Sequence, residues 1–551
     1  MKQDIGQEIK EILYSYVKAE SISNTQAEKE AENYFLAYFE RQAYFRKNTD
    51  FYGAWPIEGD PYGRAAVWAM VKGEGADTVV LIHHNDVVTV EDFKLLKDYA
   101  FSPDELAEKL LDIKESLTEE AREDLESGGF LFGRGVCDMK GGGAIQMALL
   151  SAYSRRETFK GNVIVLGVPD EENLSAGMRA GVVLLAELQK KYGLRYQLMI
   201  NSEPHQRKSP AEGVFSFGSI GKLMPYVYVR GCLAHAGKVF EGLNPANVMS
   251  EIVRRTEMNM ELSDVVGSEA APPPTWLYLR ENKISYDVSM PLTINGCLSV
   301  LTLNQSPGSV MNKVRHLCES AFDAVIGDMN KNYAAFLKAT GQEVKKLPWK
   351  AKVVDFGELY AEAADTHRAV FQRAYEEKVR EIGKKIHDGS ASLIIANFEL
   401  VDFVYDYIDD LSPRVVIGLM PPYYPNVSNI ISYEKEDDRI KDLYNVLNHF
   451  TETAYGQSYG REYYYTGISD LSYSSLADGN KISQSLRKTM PFFESIYHLP
   501  LAEIEQISMP CVNIGPWGKD FHKLTERVYK EDLYERTPAI LELAIRQILD
   551  S

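Results

Sequence analysis

Cysteine is scarce in this 551-residue chain, with five in all. Cys137, Cys232, Cys297, Cys318 and Cys511 lie far apart, form no Cys-x-x-Cys and make an odd total. That argues against a disulfide framework or a cysteine-rich zinc site and fits a reducing compartment. Long apolar runs are missing too: none approaches the ~18 residues of a membrane span. The first ten residues, Met-Lys-Gln-Asp-Ile-Gly-Gln-Glu-Ile-Lys, lack the apolar core of a secretion signal. The expectation is a cytoplasmic protein with no membrane partner. Basic charge is in deficit, 60 Lys and Arg against 79 Asp and Glu, for a net charge of −19. Nucleic acid is therefore a poor partner. Also absent are a Gly-x-Ser-x-Gly elbow, a Walker loop and a Gly-x-Gly-x-x-Gly opening a helix after a strand.

What is present is an alternation of apolar runs with amphipathic stretches. Residues 79–86, Val-Val-Leu-Ile-His-His-Asn-Asp, carry four apolar side chains straight into His84-x-Asp86. Such a run reads as a buried strand whose polar end borders a crevice. A histidine followed two places later by a carboxylate suits a metal ligand and its orienting partner; a merely packed or solvated histidine is the competing reading. Successive strand residues face opposite ways, so His84 and Asp86 share a side and His83 is expected to pack behind. Three more runs end in similar chemistry: 162–168 in Pro-Asp-Glu171-Glu172, 196–200 in Asn-Ser-Glu203-Pro, and 511–514 in a loop reaching His522. Asp138 stands in Gly-Val-Cys-Asp-Met-Lys-Gly-Gly-Gly before a helix over 144–155, the glycines allowing close backbone approach. A phosphate loop fails there, because Gly-x-x-x-x-Gly-Lys-Ser/Thr is absent.

Helices are read over 2–19, 27–44, 178–192 and 533–549, with two surface helices within 91–127. A strand over 65–71 is expected to form a hairpin with 78–82. This alternation predicts an α/β domain on a largely parallel sheet, with ligands at the strands' carboxyl ends. The middle of the chain has another texture. Strands over 222–230, 286–290, 297–304 and 351–356, with Thr-Ile-Asn-Gly as a turn, alternate with helices over 244–260 and 310–337. That βαββαβ order suggests an inserted α+β, ferredoxin-like domain. The expected division is a discontinuous catalytic domain, 1–214 and 359–551, around a lid of 215–358. Two more helices within 361–408 and a strand over 414–419 follow.

Two histidines and several carboxylates make a mixed N/O donor set suited to Zn²⁺, and also to Mn²⁺ or Co²⁺. Five ligands exceed what one tetrahedral ion with an open position needs, but fit two ions sharing a carboxylate. Glu171 and Glu172 are adjacent, so one can ligate while the other serves as general base with a raised pKa. Two other classes compete: a catalytically silent binding or regulatory protein, and a one-metal enzyme of lyase or transferase type.

Taken together, His84-Asn-Asp86, Val136-Cys-Asp138-Met-Lys-Gly-Gly, Asp170-Glu171-Glu172, Ser202-Glu203-Pro, the 231–235 segment and Gly515-Pro…His522…Glu526 resemble the M20 metallopeptidases and amidohydrolases. Length and detail look closest to the RocB-type arginine-utilisation proteins. The resemblance implies a phosphorylase/hydrolase-like mixed-sheet catalytic domain with a lid that also dimerises. It implies a dinuclear zinc enzyme cleaving an amide bond of a short peptide or N-acyl amino acid. Asp138 would bridge two metals, with His84 and Glu203 at one and Glu172 and His522 at the other. Asp86 would hold His84, Glu171 would be the general acid/base, and the Asp138–Met139 peptide would be cis. His235, on the lid, would reach an active site, often a partner's, to steady the oxyanion; a packed sheet-edge histidine is the alternative. The family's Gly-Gly-Thr-Asp-Ala loop survives only as Thr466-Gly-Ile-Ser-Asp470-Leu, and Arg315 is the nearest match to its substrate-gripping arginine.

Overall fold

The computed structural model describes residues 2–207, 209–283, 287–435 and 437–550. The chain divides into two compact units, one of residues 1–220, 427–477 and 500–551 and one of residues 221–426 and 478–499.

The first unit is built on an eight-stranded mixed sheet. Its order is Tyr52–Pro56, Ala65–Lys72, Lys160–Val168, Glu74–His84, Arg195–Asn201, Cys511–Asn513, Glu212–Ser216, Ser458–Glu462. The centre is parallel: Glu74–His84 lies between Lys160–Val168 and Arg195–Asn201, and Cys511–Asn513 runs alongside the last of these. Helices on both faces explain why these strands read as continuous apolar runs. Lys2–Val17, Lys140–Ser154 and Thr537–Leu549 cover one face, sharing a core with Val79, Leu81, Val163, Val165, Leu198 and Ile200. Ala176–Tyr192 packs on the other.

The expected hairpin of 65–71 with 78–82 does not form. Lys160–Val168 comes between them, antiparallel to Ala65–Lys72 and parallel to Glu74–His84. The link crosses the end of the intervening strand, where Gly73 and Glu74 donate their amides to the carbonyls of Gly161 and Phe159. A Cβ on Gly73 would stand 2.4 Å from the Phe159 carbonyl oxygen. The Gly-rich link is therefore a crossover and not a tight turn. The surface helices, Pro103–Asp112 and Glu119–Ser127, close a small core of Phe93, Leu106, Leu110 and Leu125 against Phe130, Phe132 and Trp517.

The second unit has a five-stranded sheet in the order Thr275–Glu281, Thr293–Thr302, Gly221–Arg230, Arg414–Tyr424, Val353–Asp355, with helices Pro245–Thr256 and Pro307–Ala339 packed against it. The α+β pattern is as expected, with three corrections. Residues 293–296, read as a turn, lie inside a strand. Gly296 is needed there because a Cβ would sit 2.5 Å from the Tyr278 carbonyl oxygen, and Asn295 donates its side-chain amide to Asn282 Oδ1 at 3.0 Å. Of the strand read at 286–290, only a bridge between Ser289 and His235 forms, and Tyr286 lies outside the described residues.

The third correction concerns the last strand. Arg414–Tyr424, not Val353–Asp355, pairs antiparallel with Gly221–Arg230, and Val353–Asp355 adds outside it in parallel. Helices Phe356–His387 and Leu393–Tyr405 pack Leu359, Phe371, Phe398 and Val401 against Tyr226, Tyr228 and Val416 of this sheet. Residues 359–426 and 478–499, expected with the catalytic domain, therefore fold with the second unit.

Candidate active site

Three parallel strands stop at one edge of the first unit's sheet, and each hands its chain to an acid or a histidine. His84 closes Glu74–His84 with Nε2 3.0 Å from Asp138 Oδ1 and 3.5 Å from Glu203 Oε1. Its Nδ1 is 3.0 Å from the Asp86 carbonyl oxygen and 3.5 Å from Asp86 Oδ1. That arrangement puts the proton on Nδ1 and leaves the Nε2 lone pair for a ligand. The fully buried Asp86 also anchors the acid pair, because its two oxygens accept the backbone N–H groups of Glu171 at 3.1 Å and Glu172 at 3.2 Å.

Asp138 is shared between the histidines. Oδ1 faces His84, while Oδ2 lies 3.1 Å from His522 Nε2. The same His522 nitrogen is 3.0 Å from Glu172 Oε1. Ligand atoms of His84, Asp138 and Glu172 all lie within 4.8 Å of one another. The Asp138–Met139 peptide is cis. The loop around Asp138 is pinned by Glu526, which accepts from the amides of Gly135, Cys137 and Asp138 at 2.8, 3.4 and 3.3 Å and pairs with Arg134 at 2.5 Å. Behind it the triple glycine opens Lys140–Ser154: a Cβ on Gly142 would meet the Ser202 carbonyl oxygen at 2.2 Å, and one on Gly143 the His83 ring at 2.6 Å. These glycines bring the helix start against the two ligand-bearing strands.

The electrostatics show what the cluster lacks. Burial is the main cause that pushes the carboxyls of Glu171 and Glu203 well above the usual range, with repulsion from Asp470 adding to both; Glu172 is raised too. Burial would also raise Asp138, but hydrogen bonds from His522 and His84 hold it below the ordinary carboxylate range. Hydrogen bonds to Asp138 and Glu172 push His522 up to about 10. Among the described residues, the ion-pair partners of Asp86, Asp138, Glu172 and Glu203 are His84 and His522 alone. Acids crowded out of water with so little cationic compensation fit divalent ions. His84, Asp138, Glu172, Glu203 and His522 would hold them.

His83 packs on the opposite face, as the strand's alternation requires, between Gln146 at 3.0 Å and Tyr16 at 3.2 Å. His235 lies in the second unit, exposed, its Nδ1 accepting from the Gly237 amide at 3.0 Å. Arg315, also in the second unit, is engaged by Asp355 at 2.8 Å and Glu358 at 2.7 Å. The sequence reading gave Glu526 and Asp470 no role. The signal for Glu526 was its place four residues after His522. Asp470 is buried, and burial pushes its carboxyl up to about 7.

Comparisons with known proteins identify the family. The model of peptidase family M20/M25/M40 matches residues 114–546. YqjN of Bacillus subtilis (strain 168) is 32% identical over 98% of this chain and 96% of its own length. Protein RocB of the same strain is 27% identical over 99% of this chain and 96% of its own. Among solved structures, human carnosine dipeptidase 1 superposes with a TM-score of 0.52 at 12% identity, covering 99% of this chain and 98% of that one. An M20 family metallo-carboxypeptidase, Sso-CP2 from Sulfolobus solfataricus, gives 0.52 at 12% identity, covering 98% and 99%. With both the matched span and the site in view, the chain belongs to peptidase family M20/M25/M40.

Proposed function

We propose that this protein is a dinuclear metal-dependent hydrolase that cleaves an amide bond of a short peptide or N-acyl amino acid. One observation carries the reading: the two oxygens of Asp138 face two different histidines, and each histidine has its own second acid, Glu203 for His84 and Glu172 for His522. A carboxylate so shared suits two ions, Zn²⁺ first and Mn²⁺ or Co²⁺ as alternatives. Bound ions would supply Lewis acidity, lowering the pKa of a water and polarising the scissile carbonyl.

The chain's own groups do the rest. Asp86 fixes the His84 tautomer and the amides of the Glu171–Glu172 turn. Glu171, whose carboxyl burial raises above its ordinary range, takes a proton from the attacking water and returns it to the leaving amine nitrogen. RocB-like similarity favours arginine-related substrates. In this reading the protein is a cytoplasmic homodimer, its partner lid presenting His235 to the oxyanion.

The test is to load the protein with Zn²⁺ or Mn²⁺, count ions per chain and assay dipeptides and N-acyl amino acids, arginine derivatives included. Two ions per chain and turnover that falls ~10²–10⁴-fold in Glu171→Gln are expected. One ion per chain, or full turnover in Glu171→Gln, would overturn the reading. Loss of activity in His235→Ala, restored by mixing with a Glu171→Gln chain, is expected of a histidine acting across a dimer.

A further inference from the structure

We infer that Arg64 and Glu28 are positioning residues for the turn that carries Glu171 and Glu172; the inference rests on the hydrolase reading above. The turn hinges on Asp170, whose φ of +70° lies in the left-handed region that non-glycine residues enter rarely and mostly where surrounding contacts fix them. Those contacts come largely from outside the turn. The Asp170 amide donates to Glu28 Oε2 at 2.8 Å. Its Oδ1 accepts from Arg64 Nη1 at 2.8 Å, and its Oδ2 from the Ala176 amide at 3.0 Å.

The same Arg64 nitrogen donates to Glu28 Oε1 at 2.7 Å, while Nε and Nη2 grip Asp60 Oδ1 at 2.9 and 2.6 Å. Arg64, Glu28 and Asp170 are 4%, 0% and 1% exposed. A single buried guanidinium thus ties three carboxylates from three separate segments, which needs the planar five-donor fork that lysine lacks. On the other side, Asp86 holds the amides of Glu171 and Glu172. The turn is therefore clamped before and within the acid pair, while among the described residues Glu171 and Glu172 form no ion pair with lysine or arginine. A base displaced by about 1 Å costs on the order of 10²-fold in rate, so a clamp this rigid bears on turnover as well as on folding.

The test compares wild type, Glu28→Gln and Arg64→Lys, all zinc-loaded, on whichever substrate the panel reveals, with cobalt-substituted samples for visible spectra. Glu28→Gln is expected to lower kcat about tenfold or more while KM stays within about threefold, and to shift the cobalt bands because Glu172 moves. Arg64→Lys, which keeps the charge but loses the five-donor fork, should lower kcat and shift the cobalt bands in the same way. A lower Tm with unchanged kcat and unchanged cobalt bands would overturn the inference and leave the clamp purely structural. If Glu28→Gln does not fold, Arg64→Lys is read on the same measures. If the wild type hydrolyses nothing, the hydrolase reading falls, and the cobalt spectra decide the clamp: shifted bands support it and identical bands reject it.

Discussion

Lowering the pH from 6.5 to 4 should remove stability through His83, by an amount fixed by how its ring is held. Gln146 spends its Nε2 on the Ile82 carbonyl at 2.7 Å and on Ser202 Oγ at 2.9 Å. Its Oε1 is therefore the acceptor for His83 Nδ1–H at 3.0 Å, and His83 Nε2 accepts from the Tyr16 hydroxyl at 3.2 Å. Every polar atom of the neutral ring is satisfied. Burial pushes its pKa down from 6.5 to about 4, and the neighbouring His84 and Lys140 add to this. A cation at His84 would act in the same direction.

The unfolded histidine takes a proton below about 6.5 and the folded one only near 4, so the unfolded state binds more protons between those values. The contribution is fully present above pH 6.5, falls as pH drops and levels off near 4. At about 1.4 kcal/mol per pKa unit it amounts to ~3 kcal/mol. Urea unfolding of wild type and His83→Gln, with a chelator present so that metal loss does not intrude, isolates it. The stability gap between the two should narrow by ~3 kcal/mol from pH 7 to 4. Parallel loss in both proteins, or a His83 ring proton titrating near 6.5, would refute the reasoning.

Three further outcomes follow from named contacts. Asp86→Ala frees the His84 ring and the Glu171–Glu172 amides, and metal affinity measured against a competing chelator should weaken ~10–100-fold. Arg207→Met takes from buried Asp532 its partner at 2.6 Å and leaves Arg536 at 3.2 Å as the remaining ion pair; the urea midpoint should fall by the equivalent of ~2–3 kcal/mol. Gly142→Ala forces the helix start off the Ser202 carbonyl, which should cost ~1–3 kcal/mol in Tm-derived stability and reduce metal retention on a desalting column.

The residues proposed as metal ligands were legible because a buried strand ends abruptly, and a charged residue just past an apolar run has few bland explanations. Strand parity then separated His84 from His83. Partners were not legible. Glu526 holds the Gly135 amide from 391 positions away, and Arg64 meets Asp170 across 106, distances that no local pattern spans. Strand order failed for the same reason: nothing within 65–84 reveals that 160–168 will come between. At 295–296, Asn-Gly carries the usual turn signal, yet a cross-strand neighbour needs the missing side chain, and packing overrode the local preference.

The placement of Cys511–Asn513 beside Arg195–Asn201 has a consequence for the newborn chain. As the polypeptide leaves the ribosome, the edge of Arg195–Asn201 is finished some 310 residues before its parallel neighbour exists. At ~5–20 residues per second, that edge waits roughly 15–60 s without its mate. An unpaired apolar edge exposed for so long invites pairing with other chains, so translation speed and chaperone supply should govern soluble yield. His522 arrives still later, so the five proposed ligands come together only once the sheet is complete. On the proposed reading, metal uptake would mark finished molecules and spare incomplete ones.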